Sequence, residues 1–312
     1  MRTHELSTEK ICSIIDELTE AGCLYLLLTG GEPLMRKDFA KIYTYAKERG
    51  LLITVFTNGT LITDDVVTLF KDLPPRFVEI SLYGATPLTY EMITGIHGSF
   101  QRCMDGIQSL LDHQINVRLK TILMTPNRHE FYEIKRIAED FGVEFRFDAG
   151  IFPTLDGDLS PMLFRVSPEE AIEKEFADPE KRDEWQEFYD RYHGVPLLDT
   201  LYQCGAGVSN FHIDPYGHLQ PCLMTSVVQY NLRDGAFSSG WYDVIPKIRE
   251  RKIKQDHPCS DCETITMCGY CPAFFDLENG LEEQPSDYLC SIGHLRFQEI
   301  IQLSENHYEK RG

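Results

Sequence analysis

The sequence predicts an α/β protein in which parallel strands form a partial (βα) barrel, followed by a small cysteine-rich domain. Two patterns lead to this prediction. In the first half of the chain, segments with helical apolar spacing alternate with short apolar segments, which is typical of parallel strands joined by helices. Towards the C-terminus, seven of the ten cysteines lie between Cys204 and Cys290. A hydrophobic core would scatter its cysteines, whereas a metal-binding domain would cluster them.

The strand–helix repeat covers the first 150 residues. The predicted strands are Leu24–Leu28, Leu51–Phe56, Phe77–Ser81, Val117–Leu123 and Val143–Phe147. The predicted helices are Thr8–Ala21, Lys37–Arg49, Thr63–Asp72, Gln101–His113 and a helix that Asn127 caps and that ends at Phe141. Because five strands are visible, the pattern favours an incomplete barrel over a closed one with eight strands. A doubly wound sheet remains the alternative, since periodicity alone does not exclude it.

Glycines and polar residues stand at the carboxyl ends of these strands. Residues 29–33 (TGGEP) follow the first strand and residues 57–60 (TNGT) follow the second, while Ser81 ends the third. Ligands of parallel α/β folds bind at this edge of the sheet, so we expect a ligand site there. For Asn58-Gly59 taken alone, formation of a turn is the favoured interpretation.

Composition and charge limit the classes of function. The chain has 312 residues and a net charge of −19, and an acidic surface argues against nucleic-acid binding. No apolar run reaches the roughly 18 residues that a membrane span needs, and the N-terminus has no signal-peptide pattern. We therefore expect a cytoplasmic protein without membrane contact, in which the cysteines stay reduced.

The loop after the first strand carries a family resemblance. Gly30-Gly31-Glu32-Pro33 is similar to the GGEP motif of radical SAM enzymes, in which two glycines let the backbone approach a ligand closely. The TNGT segment resembles the next family motif, and Ser81 matches the position that usually contacts the ribose. The resemblance implies that S-adenosylmethionine binds to Gly30, Gly31, Glu32, Pro33, Asn58 and Ser81.

A basic residue on the fourth strand completes the expected cofactor site. In the family, a basic or polar side chain at this place often meets the cofactor carboxylate. Arg118 and Lys120 alternate with apolar residues and so share one face of the strand. We assign the contact to Lys120, with simple solvation of one or both side chains as the alternative.

The C-terminal cysteines form a second recognisable pattern. Cys204, Gly217 and Cys222 give C-x12-G-x4-C, in which the glycine ends a turn signal. Four cysteines then give C-x2-C-x5-C-x2-C, and Cys290 follows. This resembles the seven-cysteine SPASM domain of peptide-modifying radical SAM maturases. Their last spacing is C-x3-C, so the shorter spacing here weakens the assignment of Cys271.

The resemblance implies two auxiliary iron–sulfur clusters of the 4Fe-4S type, and thiolates are soft ligands that suit such clusters. One set comprises Cys259, Cys262, Cys268 and Cys290. The other comprises Cys204, Cys222 and Cys271, which leaves an open iron or a ligand other than cysteine.

Structural zinc is the alternative for the two C-x2-C pairs. A zinc site would leave Cys204, Cys222 and Cys290 without a role, and iron–sulfur clusters are therefore favoured. Cys12 and Cys23, like Cys103, have no ligand spacing and are interpreted as core residues.

One family element is missing from the sequence. A radical SAM enzyme needs a further cluster, held by C-x3-C-x2-C ahead of the helix that leads into GGEP, and the sequence contains no such motif. We expect truncation or a mis-assigned start codon, with a degenerate relative as the alternative. Catalytic activity depends on which of these holds, because protein side chains do not replace cofactor chemistry.

These observations predict the domain organisation and the function. The barrel covers residues 1–150, a bridge 151–200, the SPASM domain 201–292 and a terminal helix 293–312. The expected function is modification of a peptide or protein by radical chemistry, with a flavodoxin or ferredoxin as electron donor. The alternatives are a non-catalytic iron–sulfur or electron-transfer protein and a zinc-binding interaction module. No residue identifies the substrate, the reaction or a catalytic acid.

Overall fold

The computed structural model describes residues 5–195, 198–254 and 256–309. The chain divides into two compact units, which we call the barrel unit and the cysteine unit. The barrel unit comprises Met1–Asp148, Ile213–Leu219 and Gln229–Val244. The cysteine unit comprises Ala149–His212, Gln220–Val228 and Ile245–Gly312.

Helices and strands alternate through the first 148 residues, as the sequence predicts, and further helices and short strands follow in the rest of the chain. The strands are β1 (Tyr25–Leu28), β2 (Leu52–Thr57), β3 (Phe77–Ser81), β4 (Val117–Ile122), β5 (Glu144–Asp148), β6 (His212–Ile213), β7 (His218–Gln220) and β8 (Tyr230–Asn231). The helices are α1 (Thr8–Glu20), α2 (Phe39–Glu48), α3 (Asp64–Asp72), α4 (Pro87–Thr94), α5 (Ser99–Asp112), α6 (Phe131–Phe141), α7 (Pro168–Ala177), α8 (Pro179–Tyr192), α9 (Phe237–Ser239), α10 (Pro272–Asn279) and α11 (Asp287–Glu309). Within the described ranges, no helix has the length and apolar character needed to cross a membrane.

Five parallel strands form the main sheet in the order β1-β2-β3-β4-β5. A doubly wound sheet reverses its strand order at a switch point, and this sheet does not. The prediction of an incomplete α/β barrel with parallel strands is therefore confirmed. The small strands β6, β7 and β8 form a separate three-stranded sheet.

The two faces of the main sheet have different surroundings. Alternate side chains of β2, β3 and β4 are fully buried in the hydrophobic core that α2, α3, α5 and α6 complete: Ile53, Val55, Val78, Ile80 and Leu119. The intervening residues, which point to the other face, include the charged side chains of Glu79, Arg118 and Lys120. One face of the sheet thus builds the core, and the other is available for polar groups.

Strand β1 lies at the edge of the sheet. The exposed fractions of Leu24, Tyr25 and Leu27 are 64%, 62% and 45%. An apolar edge strand exposes unpaired backbone groups and favours pairing with a further strand.

The predicted cap of α6 is wrong. The side chain of Asn127 makes no capping bond to the helix. Its Oδ1 accepts from the Met124 backbone N at 2.8 Å, and its Nδ2 donates to the carbonyls of Ile122 at 2.9 Å and Tyr83 at 3.1 Å. Asn127 is buried, so its amide satisfies buried backbone groups instead of a helix end.

Two other regions differ from the predicted elements. Helix α4, after β3, was not predicted; Thr86 caps it, and the buried carboxylate of Glu130 accepts from the Ala85 and Thr86 backbone amides at 2.7 and 3.2 Å. The segment predicted as a bridge, residues 151–200, contains two helices, α7 and α8. Proline at position 179 begins the second, because proline is favoured at the first position of a helix.

Replacement of Gly106 by alanine should destabilise the barrel unit. Gly106 lies inside α5, where alanine normally adds about 1 kcal/mol of stability. Here, an added Cβ would overlap the carbonyl oxygen of Gly59 in the loop after β2. We therefore expect Gly106→Ala to lower the free energy of unfolding by about 1–3 kcal/mol. Urea denaturation followed by circular dichroism measures the change.

The matched control is Gln108→Ala, at an exposed position of the same helix. Its effect should stay within about 0.5 kcal/mol. A Gly106→Ala protein as stable as the control would contradict the close contact between α5 and this loop.

Candidate functional site

The glycine-rich loop after β1 has an open backbone. Gly30 has a φ of +140°, a conformation that residues with a side chain rarely adopt. Apart from each glycine and its chain neighbours, no heavy atom of the described residues lies within 4 Å of the position that a Cβ would take at Gly30 or Gly31. Both glycines are exposed, so a ligand can reach the loop backbone.

Glu32 fixes this loop to the loop after β2. Its Oε1 accepts from the Leu34 backbone N at 3.0 Å and from Thr57 Oγ1 at 2.8 Å. Its Oε2 accepts from the Asn58 backbone N at 2.8 Å. A carboxylate offers about four acceptor positions, so these three bonds leave room for one more donor. Glu32 therefore joins the first two predicted motifs and retains capacity for a cationic ligand group.

Asn58 and Ser81 lie at the same edge of the sheet. The Asn58 side-chain oxygen accepts from the backbone N of Thr60 at 2.9 Å and from its hydroxyl at 2.7 Å, which is the bonding of a turn. This agrees with turn formation as the favoured interpretation of Asn58-Gly59. Ser81 ends β3 half-buried and pairs in register with Lys120 of β4.

Lys120 has a partner that the sequence did not reveal. Its Nζ lies 3.0 Å from Glu79 Oε1 and 3.7 Å from the centre of the Phe56 ring. Arg146 of β5 also binds Glu79, with Nε 2.7 Å from Oε2. Glu79 is 2% exposed, so two cations hold one buried carboxylate on the polar face of the sheet.

The pKa values of this group follow from burial and pairing. Burial alone would raise the pKa of Glu79, but the hydrogen bonds from Arg146 and Lys120 outweigh it, and the pKa lies below its usual value. Burial lowers the pKa of Lys120 despite the bond to Glu79. In the sequence, Glu79 stood out only as an acidic residue between apolar residues of the predicted strand Phe77–Ser81. In the structure, it pairs in register with Arg118 and lies on the face of the sheet that Arg118 and Lys120 share.

The cysteine unit contains all seven C-terminal cysteines. Four of them influence each other electrostatically. Burial and the charges of Cys290, Cys259 and Cys262 raise the pKa of Cys268 to about 12. Burial, with Cys290 and Cys262, raises that of Cys259 to about 11. We call these four residues the first cysteine group.

The other three C-terminal cysteines form the second cysteine group. Burial and the charges of Cys222 and Cys204 raise the pKa of Cys271 to about 11. Burial and the charge of Cys204 raise the pKa of Cys222. Arg249 contacts this group, because its Nη1 donates a hydrogen bond to the backbone carbonyl of Cys204 at 2.9 Å.

Helix α11 brings two members of the first group together. Cys290 lies in its first turns, and Gly293, one turn later, packs against Cys268. A Cβ at Gly293 would lie 2.5 Å from the Cβ of Cys268 and 2.9 Å from its Cα. Arg296 then donates to the carbonyl of Met267 and, from Nε, to Glu175 at 2.9 Å. Sequence reasoning missed Gly293 and Arg296, although their i+3 and i+6 spacing from Cys290 places them near one helix face.

A cavity of about 630 Å³ adjoins the first group. Its lining includes Cys259, Cys262 and Cys290, together with His294 of α11. Among the described residues, no three His, Cys, Asp or Glu side chains are placed so that they could hold a metal ion. The grouping of the cysteines thus rests on their mutual electrostatic influence and on the packing of α11.

The remaining cysteines belong to the barrel unit. Cys103 is fully buried in its hydrophobic core, and Cys23 packs against that core half-buried. Burial raises the pKa of Cys12, Cys23 and Cys103, the last to about 11. The surroundings of Cys23 and Cys103 are those of small core residues, whereas Cys12 is half-buried in α1 and lies outside the residues that form this core.

Comparison with known proteins adds three findings. An AdoMet-dependent heme synthase of Methanosarcina barkeri (strain Fusaro / DSM 804) is 27% identical over 309 residues, which cover 90% of this chain and 87% of that protein. The mycofactocin maturase MftC of Mycobacterium tuberculosis (strain ATCC 25618 / H37Rv) is 28% identical over 315 residues, covering 93% of this chain and 76% of that protein. The crystal structure of Streptococcus suis SuiB bound to precursor peptide SuiA superposes with a TM-score of 0.71 at 16% identity, covering 91% of this chain and 69% of SuiB.

At this low identity, the superposition on SuiB shows that the two chains share a fold. In addition, residues 1–141 match the family described as the Radical SAM superfamily. This match and the five parallel strands place residues 1–141 of the chain in the radical SAM superfamily.

Proposed function

We propose that this chain is a radical SAM/SPASM maturase-like protein that modifies a side chain of a peptide or protein substrate. In this proposal, S-adenosylmethionine binds at the carboxyl edge of the five-stranded sheet, and the C-terminal cysteines hold two auxiliary iron–sulfur clusters. The observation that carries the proposal is the gathering of Cys259, Cys262 and Cys290 around one cavity, with Cys268 packed against Gly293 of α11, in a chain with a matched radical SAM domain. The protein would work in the cytoplasm with a flavodoxin or ferredoxin as electron donor.

The loop geometry supports the assignment of the cofactor site. The open backbone at Gly30 and Gly31 and the remaining acceptor position of Glu32 suit an ammonium group. Pro33 starts the short helix that follows, and Asn58 and Ser81 stand at the same edge. Lys120 is the cation assigned to the cofactor carboxylate, and Glu79 orients it. When bound and reductively cleaved, S-adenosylmethionine supplies the hydrogen-abstracting radical of this superfamily.

The chemistry of the cysteine groups supports the assignment of the clusters. Thiolates bind iron–sulfur clusters, and a cationic iron site offsets the burial that raises the pKa values of these thiols. The first group would supply four thiolates to one cluster. The second group would supply three, namely Cys204, Cys222 and Cys271, and its fourth position would be an open iron or another ligand.

The relatives support a substrate class and also supply a second candidate. MftC is named a maturase, and SuiB binds a precursor peptide, which favours a peptide substrate for this chain. The similarity to AdoMet-dependent heme synthase over 90% of the chain favours a tetrapyrrole as the second candidate. The two candidates share the cofactor and differ in the substrate class, so an absorbance titration with an iron porphyrin separates them.

Metal analysis tests the proposal directly. In protein purified and reconstituted without oxygen, we expect iron and acid-labile sulfide in equal amounts, roughly eight of each per chain for two 4Fe-4S clusters. Cys259→Ala should lower both, whereas Cys103→Ala, which replaces a buried core cysteine, should lower neither. Zinc without sulfide would instead support the interaction module and reject the proposal.

Gly293→Ala should remove the cluster of the first group selectively. The added methyl group would collide with Cys268 and push α11, with Cys290, away from its partners. We expect the iron content to fall by roughly half, since the second group does not depend on this contact. Iron assays measure the loss, and circular dichroism verifies folding.

The control for this variant is Ser291→Ala, at an exposed position of the same helix. It should retain the wild-type iron content. Full iron in Gly293→Ala would show that α11 does not need to approach Cys268 for the cluster to form.

Lys120→Ala should weaken the binding of S-adenosylmethionine. Loss of a charge-assisted hydrogen bond worth about 1.5–3 kcal/mol raises the dissociation constant by roughly 10-fold to 100-fold. Isothermal titration calorimetry measures the change, with Lys71→Ala, an exposed lysine of α3, as the control that should bind like wild type. Equal affinity in both variants would remove Lys120 from the site, and no binding to wild type would favour the non-catalytic alternative.

A further inference from the structure

The charged side chains on the polar face of the main sheet lie in rows across its strands. Ser81, Lys120 and Arg146 are register partners on β3, β4 and β5, and they form a row near the carboxyl edge of the sheet. Glu79 stands two residues before Ser81 and pairs in register with Arg118, one row further from that edge. The cations Lys120 and Arg146 therefore lie closer to the expected ligand site than the carboxylate that they both bind.

Arg146 by itself satisfies both oxygens of Glu79. Its Nε donates to Oε2 at 2.7 Å, and its Nη2 donates to Oε1. Such two-point pairing between a guanidinium and a carboxylate is stronger and better oriented than a single bond. Lys120 reaches only Oε1, where its Nζ lies at 3.0 Å from an oxygen that Arg146 already holds. Of the two cations, Lys120 is thus the one that Glu79 does not require.

Lys120 retains donors and charge for a further partner. An ammonium group carries several N–H donors, and the contacts of Lys120 with described residues are one carboxylate oxygen and the face of the Phe56 ring, 3.7 Å away. The pairing of Arg146 with Glu79 cancels one positive and one negative charge. Within this group of three charged side chains, the charge of Lys120 is therefore the surplus one.

The acids of β5 engage the two arginines of this face. Nη2 of Arg118 lies 2.9 Å from Oε2 of Glu144. The hydrogen bonds to Glu79 raise the pKa of Arg146 above its usual value despite burial, and the charges of Asp148 and Glu144 add to this effect. These acids thus act on cations other than Lys120.

Without Arg146, Glu79 and a ligand carboxylate would compete for one ammonium group. Glu79 is 2% exposed, so solvent screens its charge poorly. Like charges held close together in such a place oppose binding strongly. The presence of Arg146 removes this opposition, because the negative charge of Glu79 is already matched.

We propose that Arg146 is a positioning residue of the cofactor site, which neutralises Glu79 and thereby leaves the charge of Lys120 for the carboxylate of S-adenosylmethionine. The inference rests on the proposed function, because it needs the cofactor at the carboxyl edge of the sheet. Arg146 acts through Glu79 and Lys120 and takes no part in bond breaking. Through them, it makes the site selective for a ligand that carries a carboxylate.

The test is a cycle of Arg146→Gln, Glu79→Gln and the double variant, made in the full chain. Isothermal titration calorimetry gives the dissociation constant of S-adenosylmethionine for each protein. Arg146→Gln should raise it by roughly 10-fold, because Glu79 then competes for Lys120. The double variant should bind within about 2-fold of wild type, since the competing charge is gone and an amide oxygen at position 79 still accepts from Lys120. Glu79→Gln alone should bind at least as tightly as wild type.

The experiment has a ligand control and a protein control. Decarboxylated S-adenosylmethionine keeps the sulfonium, the amine and the adenosine, and Arg146→Gln should not weaken its binding. Arg118→Gln removes an arginine of the same face whose partner, Glu144, has a side chain that is 56% exposed and therefore screened by solvent. This variant should bind S-adenosylmethionine within about 2-fold of wild type.

The outcomes separate this inference from the function on which it rests. Wild type that does not bind S-adenosylmethionine overturns the cofactor site and this inference together. Wild type that binds it, with equal affinity in Arg146→Gln, overturns the inference alone. A loss that the double variant does not restore, or an equal loss for the decarboxylated ligand, also overturns it, because Arg146 then contacts the ligand itself or only supports the fold.

Circular dichroism shows whether each variant folds. If Arg146→Gln does not fold, the double variant and Glu79→Gln decide, because neither leaves a buried carboxylate without its arginine. Wild-type affinity for S-adenosylmethionine in both supports the inference, and a loss of affinity in either overturns it.

Discussion

The barrel unit depends on one constraint, the parallel pairing of five strands in chain order. Because every strand runs in the same direction, each connection must cross back over the sheet, and the helices cover one face. The apolar residues of that face form the core, and the carboxyl ends of all strands meet at a single edge. There, Glu32 joins the loops after β1 and β2 through Thr57 and the backbone of Asn58. The ligand site thus follows from the strand direction, and Glu32 fixes its shape.

The polar face of the sheet shows how burial and pairing compete. A carboxylate as deeply buried as Glu79 is costly unless its oxygens are satisfied, and here Lys120 and Arg146 satisfy them. The pairing keeps the carboxylate charged and leaves one more cation than anion among the three side chains. Lys120 is therefore oriented by a neighbour, while the group retains a positive charge for a ligand carboxylate.

The cysteine unit depends on a different constraint, the close approach of a helix to a loop. Helix α11 carries Cys290, and it reaches Cys268 only because residue 293 has no side chain. Arg296 adds a bond to the carbonyl of Met267, the residue that precedes Cys268. Cysteines that are distant in sequence become neighbours through these contacts.

The sequence by itself determined the repeating elements and the positions of the two motifs. Apolar periodicity located β1 to β5, and cysteine spacing separated the C-terminal seven from Cys12, Cys23 and Cys103. Local pattern carries this information because backbone geometry and side-chain spacing repeat along the chain.

Only the tertiary structure decided which residues meet. The pairing of Glu79 with Lys120 crosses two strands, the packing of Gly293 on Cys268 joins a helix to a loop, and Asn127 binds Tyr83 and Ile122 instead of capping α6. The sequential strand order, which excluded a doubly wound sheet, is likewise a property of the assembled sheet. Such contacts join residues far apart in the chain, so no local pattern encodes them; they depend on the packing of complete elements.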